Sequence, residues 1–127
     1  MNTKKYINEY ENLYFNWRKS QFNNKTPFFP IFKDFMPYLK TLTPGAVSLF
    51  IFLGLKSNNK LGTSFYKIET ISKFFDRSPR TISNWIKDLE DAHLIIRKQK
   101  KVNSVSITYL LPYGNEFEIE NKSNKFK

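Results

Sequence analysis

The sequence has no cysteine, only four glycines and a single histidine among its 127 residues. Without cysteine, the chain can form neither structural disulfides nor thiolate metal sites. It contains no Gly-rich phosphate loop, no metal-ligand cluster and no nucleophile motif, and His93 alone could supply an imidazole. We therefore expect a protein that is not an enzyme and that needs no metal or other cofactor.

Long hydrophobic runs are also missing. The longest apolar run, residues 46–55, is interrupted by Ser48 and Gly54. A helix needs about 20 apolar residues to span a bilayer, and residues 1–10 lack the apolar segment of a secretory signal. We expect a cytoplasmic protein without a membrane partner.

Positive charge is in excess. The net charge is +10, with 25% charged and 40% hydrophobic residues, a composition typical of a folded chain. A field of this sign concentrates polyanions near the surface and speeds their capture. Nucleic acid is therefore the leading class of partner, ahead of an anionic membrane surface.

Hydrophobic periodicity divides the chain into three parts. Residues 4–20 predict a helix, and residues 21–30, with two prolines, predict a linker to an apolar segment. We expect an aromatic N-terminal helix and lead-in arm over residues 1–40, a folded domain over 41–113 and a disordered charged tail over 114–127. The helix carries one stripe of apolar side chains: Tyr6, Tyr10, Leu13, Tyr14 and Trp17.

The folded domain begins with a strongly apolar helix. Thr43 is a suitable N-cap and Pro44 fits the first helical position, which predicts a helix over residues 43–56. Because this helix is apolar on most sides, one face should pack on the core and another should be covered by the N-terminal segment or a second subunit. We therefore expect a homodimer through the N-terminal aromatic segment and residues 44–56.

Two further helices and a hairpin follow. Residues 69–76 predict a helix with Ile71, Phe74 and Phe75 pointing inward, after a short strand at 65–68. Ser78 should cap a third helix that runs to about Asp91. A period of two within residues 94–111 predicts a β-hairpin with a polar tip. The buried stripe of the third helix is expected to be Ile82, Trp85, Ile86 and Leu89.

Several spaced positions resemble the winged helix-turn-helix family. Ser-Pro-Arg-Thr-Ile at 78–82 resembles the family's Ser-x-Arg-Thr-Val at the start of the recognition helix. Leu-Glu-Asp-Ala-His-Leu-Ile at 89–95 resembles its Leu-Glu-x-x-Gly-Leu-Ile before the wing. The resemblance covers residues 43–111 and implies a mainly α fold with a small β-hairpin, a winged helix-turn-helix. Leu-Thr-Pro-Gly-Ala at 42–46 is also similar to replication-initiator modules of plasmids and other mobile elements.

The sequence departs from the family at two turns. Asp76 and Arg77 stand where the family has glycine and an apolar residue, in the turn between the second and third helices. His93 replaces the glycine that precedes Leu-Ile. We expect an altered helix-turn-helix turn and a different exit from the third helix.

The outward face of the third helix is the candidate DNA contact. Arg80 can read guanine and Asn84 adenine, each through two hydrogen bonds. Ser78 and Thr81, near the helix start, are expected to contact phosphate. A basic wing tip forms the second contact, so the sequence predicts a duplex-DNA interface. The predicted DNA-binding residues are Lys67, Ser78, Arg80, Thr81, Ser83, Asn84, Lys87, Arg97, Lys98, Lys100, Lys101 and Asn103.

Three functions remain open at this point. The first is binding of duplex DNA for replication or transcription control of a mobile element, together with a replication protein as partner. The second is a single-stranded DNA-binding replication accessory, in which exposed rings stack on bases. The third is a winged-helix protein-interaction module, for which the basic residues would be dispensable.

Overall fold

Five α-helices and three short strands make up the structure, a computed structural model that describes residues 3–99, 101–102 and 104–114, with the backbone alone for residues 3–6. A 3-10 turn covers Lys33–Phe35. The elements are α1 (Thr3–Asn23), α2 (Tyr38–Thr41), α3 (Pro44–Lys56), β1 (Thr63–Ser64), α4 (Ile68–Phe75), α5 (Pro79–Asp91), β2 (Ile95–Lys98) and β3 (Ile107–Leu110). The predicted tail from residue 115 onward lies outside the described residues. None of the described helices is long and apolar enough to cross a membrane.

Both predicted N-caps are confirmed. The Thr43 hydroxyl accepts a hydrogen bond from the Ala46 amide at 3.3 Å and donates one to Asp88 Oδ2 on α5 at 3.0 Å. The Ser78 hydroxyl accepts from the Thr81 amide at 3.2 Å. Each cap satisfies an amide that the first turn of a helix leaves free, and the Thr43 cap also ties α3 to α5.

Helices α3, α4 and α5 enclose the core. Leu49, Leu53, Ile71, Ile82 and Leu89 are each at most 1% exposed and come from all three helices. Dense packing of branched side chains gives such a core its stability. The predicted inward position of Phe74 is wrong, because its side chain is 65% exposed and lies against the rings of Phe52 and Phe75 at the surface.

The sheet is antiparallel, with strand order β1-β3-β2. β2 and β3 form the predicted hairpin, in which Lys98 pairs with Ile107. The strand expected at residues 65–68 is wrong, since β1 comprises only Thr63–Ser64 and pairs with Tyr109 and Thr108. The Gly62 carbonyl accepts from the Leu110 amide at 2.8 Å, which fixes this earlier register.

Two non-glycine residues adopt the left-handed conformation at the departures from the family pattern. Asp76 has φ 53° and ψ 51°, and His93 has φ 57°. After α4, the Asp76 amide donates to Lys73 and the Arg77 amide to Ser72, which satisfies the last carbonyls of the helix. The turns therefore keep the geometry that glycine usually provides, at a steric cost that Asp tolerates better than most residues.

The lead-in arm covers the second face of α3. Phe35 is 3% exposed and stacks on Phe50 with 4.8 Å between ring centroids. The ring of Phe29 lies over Gly54, and the Tyr113 hydroxyl accepts a hydrogen bond from the Phe32 amide at 3.0 Å. The arm from Phe29 onward is thus packed on the folded domain, whereas every side chain of α1 from residue 7 to 20 is exposed.

Gly45 permits the close approach of α3 and α5. A Cβ at this position would lie 2.0 Å from the ring of Trp85. Glycine-to-alanine changes in a helix ordinarily stabilise by about 1 kcal/mol. Here the overlap should dominate, and we expect Gly45→Ala to lower the free energy of unfolding by about 1–2 kcal/mol.

Urea unfolding followed by tryptophan fluorescence measures this change. Ser48→Ala, on the exposed side of the same helix, is the matched control and should be neutral or slightly stabilising. A Gly45→Ala protein as stable as the control would show that Trp85 moves aside without loss.

Candidate nucleic-acid interface

The outer face of α5 presents a polar row to solvent. Ile82 and Leu89 are fully buried and Ile86 is 6% exposed, while Trp85 is half-buried against Phe75 and Gly45. This stripe fixes the rotation of the helix about its own axis. The opposite face consequently carries four exposed side chains: Arg80, Ser83, Asn84 and Lys87.

Lys87 is the member of the row with an ionic partner. Its ammonium lies 3.3 Å from Asp91 Oδ2, one turn further along α5. Both side chains are about two-thirds or more exposed, 74% for Lys87 and 67% for Asp91, so the pair contributes little to stability. Lys87 can therefore exchange this carboxylate for another anion at small cost.

The start of α5 is organised by Ser78 and Thr81. Their hydroxyl oxygens lie 3.0 Å apart, and Ser78 also holds the Thr81 amide. Ser78 is exposed and Thr81 half-buried. Both predicted phosphate contacts therefore lie beside Arg80 at the positive end of the helix dipole.

The wing places two of its predicted basic residues at the surface. Lys98 ends β2 and Lys101 lies in the tip, and both are exposed. Ser104 shapes the tip, because its hydroxyl accepts from the Lys101 amide at 3.1 Å and its carbonyl accepts from Gln99 at 2.8 Å. The predicted contacts Lys100 and Asn103 lie outside the described residues.

Arg97 is held inside the base of the wing. Its guanidinium donates to Thr108 Oγ1 at 2.7 Å and to the Tyr66 carbonyl at 3.4 Å, and its backbone amide donates to Glu90 Oε2 at 3.3 Å. Burial lowers the pKa of Arg97, and the negative charge of Glu90 partly opposes that shift. Arg97 thus joins β2 to β3 and to the segment before α4, away from the exposed tip where the sequence placed it.

The alternation of side chains along β2 predicts this inward position. Arg97 follows the buried Ile95 by two residues, so both lie on one face of the strand. The charge cluster that Arg97 forms with the neighbouring lysines in the sequence instead favoured an exposed position, which ignores that alternation.

Lys67 lies with the wing rather than with the row on α5. It precedes α4 and lines a shallow cleft of about 270 Å³ together with Arg97, Gln99 and Ser104. Sequence reasoning missed Gln99 and Ser104, since their approach to Lys67 depends on the pairing of β2 with β3. The predicted residues therefore form two groups, one on α5 and one at the wing.

The central part of the chain matches a known family. Residues 40–95 match the family model described as "Helix-turn-helix domain". This segment contains α3, α4 and α5, and the β2–β3 hairpin follows as the wing. The domain therefore has a winged helix-turn-helix fold.

Four solved chains match this one, among them two with a similar fold. One is described as "N-Terminal domain of DNA binding protein", with a TM-score of 0.55 and 24% identity over 84% of this chain and 94% of that chain. The other, "Structure of Rep-DNA complex", has a TM-score of 0.54 and 24% identity over 84% of this chain and 95% of that chain. No curated protein matches the chain by sequence. The two structural likenesses establish the fold.

Replacing Arg97 should destabilise the domain. Arg97→Met keeps much of the side-chain volume but leaves Thr108 and the Tyr66 carbonyl without their donor, and we expect a loss of about 1–3 kcal/mol in the free energy of unfolding. Lys98→Met, at the exposed neighbouring position, should change it by less than about 0.5 kcal/mol. Urea denaturation compares the two, and equal stabilities would contradict a supporting role for Arg97.

Proposed function

We propose that this protein binds duplex DNA, with α5 in the major groove and the wing on the phosphate backbone. The exposed row on α5 carries the proposal, because a buried apolar stripe holds Arg80 and Asn84 outward in the first half of the helix. In helix-turn-helix proteins that half of the recognition helix contacts base edges. Arg80 is assigned to guanine and Asn84 to adenine.

The remaining contacts are assigned to phosphate. Lys98 and Lys101 extend the positive surface along the wing, and Lys67 continues it at the wing base. Lysine neutralises phosphate without reading sequence, so these residues supply affinity and orientation. Ser78, Thr81, Ser83 and Lys87 complete the interface on α5, with Lys100 and Asn103 proposed for the tip. Arg97 supports the wing from within.

Replication control of a mobile element is the proposed role, with transcription control as the alternative. One of the two similar structures is described as a complex of Rep with DNA, and the other as a DNA-binding protein. The Leu-Thr-Pro-Gly-Ala segment at 42–46, which is similar to replication-initiator modules, supports the same role. A replication protein would be the expected partner at the DNA site.

Binding of unpaired DNA is the second candidate function. It is favoured by the exposed rings of α1, where Tyr10, Tyr14 and Trp17 are 56–68% exposed. Aromatic rings of this kind can stack on bases of any sequence. Competition between duplex and single strands at equal salt separates the candidates, since preference for unpaired oligonucleotides would overturn duplex binding.

Arg80→Ala should weaken duplex binding and relax its sequence preference. The expected loss is about 1–3 kcal/mol on the preferred site, because a bidentate contact to one base pair disappears. Binding titrations on a selected site and on its single-base variants measure both effects. A uniform loss over all sequences would make Arg80 a phosphate contact instead.

Lys60→Ala is the control for loss of one positive charge. Lys60 lies in the turn before β1, at the end of the sheet away from the wing tip. Lys60→Ala should leave both the affinity for duplex DNA and the sequence preference nearly unchanged. Biological function that stays intact in a protein with Arg80→Glu and Asn84→Asp would favour the third alternative, a protein-interaction module.

The salt dependence should report the number of phosphate contacts. About five cations on duplex DNA predict a slope of log K against log salt near −4 to −5. Removing two of them with Lys98→Gln and Lys101→Gln should make the slope shallower by about 2. The control pair Lys56→Gln and Lys60→Gln should leave it unchanged, and equal slopes for both pairs would exclude the wing from the interface.

A further inference from the structure

Arg97 joins the three parts of the chain that carry the proposed DNA contacts. Its guanidinium donates to Thr108 Oγ1 on β3 at 2.7 Å and to the carbonyl of Tyr66, the residue before Lys67, at 3.4 Å. Its backbone amide donates to Glu90 Oε2 on α5 at 3.3 Å. Helix α5, the wing and the segment before α4 therefore share one network of hydrogen bonds.

Glu90 is the residue through which α5 enters this network. Its side chain is half-buried and follows the fully buried Leu89, near the end of the helix that packs on β2. β2 is an edge strand, because it pairs with β3 on one side only. Edge strands leave backbone amides without a strand partner, and the Glu90 carboxylate supplies a partner for the amide of Arg97.

The charges of Glu90 and Arg97 support the same link. Burial lowers the pKa of Arg97, and the negative charge of Glu90 opposes that shift. The carboxylate thus favours the charged form of the guanidinium. A hydrogen bond to the backbone and an attraction to the side chain together hold this part of β2 against α5.

The link lies directly beside the wing residues proposed to contact phosphate. Lys98 follows Arg97 at the end of β2, and Lys101 lies three residues further along the chain. Separate contacts on one ligand add affinity most effectively when their relative position is fixed before binding. The position of the wing relative to α5 should therefore influence how tightly both can bind one duplex.

We propose that Glu90 is a positioning residue for DNA binding, which fixes the wing relative to α5 so that Lys98 and Lys101 reach phosphate while α5 lies in the major groove. The inference rests on the proposed binding of duplex DNA. Glu90 acts through Arg97, because its carboxylate is directed at the backbone of β2 and would repel phosphate. Its contribution is the order that it gives to the wing before DNA arrives.

Two replacements of Glu90 separate its hydrogen bond from its charge. Glu90→Gln keeps an oxygen that can accept from the Arg97 amide, whereas Glu90→Ala removes the acceptor. Both remove one negative charge, so their difference does not report the repulsion of phosphate. We expect Glu90→Ala to bind duplex DNA about five-fold more weakly than Glu90→Gln, because a wing that is no longer held must be ordered during binding.

A third replacement separates the hydrogen bond from the packing of the side chain. Glu90→Met keeps the length of the side chain and favours the helix, but it has no oxygen to accept from the Arg97 amide. It should bind duplex DNA as weakly as Glu90→Ala. Affinity equal to that of Glu90→Gln would contradict the proposal, and urea unfolding verifies that each variant is folded during the titrations.

Combination with the wing lysines shows where the loss arises. Lys98→Gln together with Lys101→Gln should weaken binding less in the Glu90→Ala background than in the Glu90→Gln background, because the wing has already lost part of its contribution. Equal effects in the two backgrounds would mean that Glu90 and the wing act independently, and the proposal would then be wrong.

Spin labels measure the position of the wing without DNA, in a chain that has no native cysteine. Ser83→Cys on α5 and Lys98→Cys at the end of β2 provide two exposed labelling sites. The distribution of distances between the labels should be narrow with Glu90 or Glu90→Gln and broader with Glu90→Ala. Equal widths in all three proteins would overturn the proposal. A broader distribution with Glu90→Ala in a chain that binds no duplex would reject the proposed function and retain the link between Glu90 and the wing.

Discussion

The packing of α5 on the core determines what the rest of the surface can do. Ile82 and Leu89 are fully buried, and any rotation of the helix that exposed them would cost about 1.5–3 kcal/mol for each side chain. The Thr43–Asp88 hydrogen bond and the fit of Trp85 over Gly45 hold α5 at a fixed position on α3. The backbone positions of the polar row on the opposite face are therefore fixed before a ligand binds.

The wing depends on a second internal constraint of a different kind. Two short strands make a weak hairpin in isolation, and the guanidinium of Arg97 adds contacts to Thr108 and to the Tyr66 carbonyl across the sheet. Even a partly buried charge is costly unless it is well bonded, and the hydrogen bonds of Arg97 connect the wing to the segment before α4. Arg97, which points inward, thus supports the wing that presents the exposed lysines.

Local signals in the sequence were sufficient for α1, α3, α4 and α5 and for the caps of α3 and α5. Thr43 and Ser78 were predictable because a cap depends on residues within one turn. The two-residue β1 was not, since its position follows from pairing with β3, which is distant in sequence. Phe74 and Phe75 have similar local patterns, and only the tertiary fold decides which is exposed. The row on α5 followed from periodicity, whereas the inward turn of Arg97 required the strand alternation to outweigh the charge cluster.

The lead-in arm explains how one chain can present two separate surfaces. Phe29 and Phe35 complete the cover of α3, so the winged domain needs nothing from α1 to close its core. The side chains of α1 from residue 7 to 20 are left exposed outside that core.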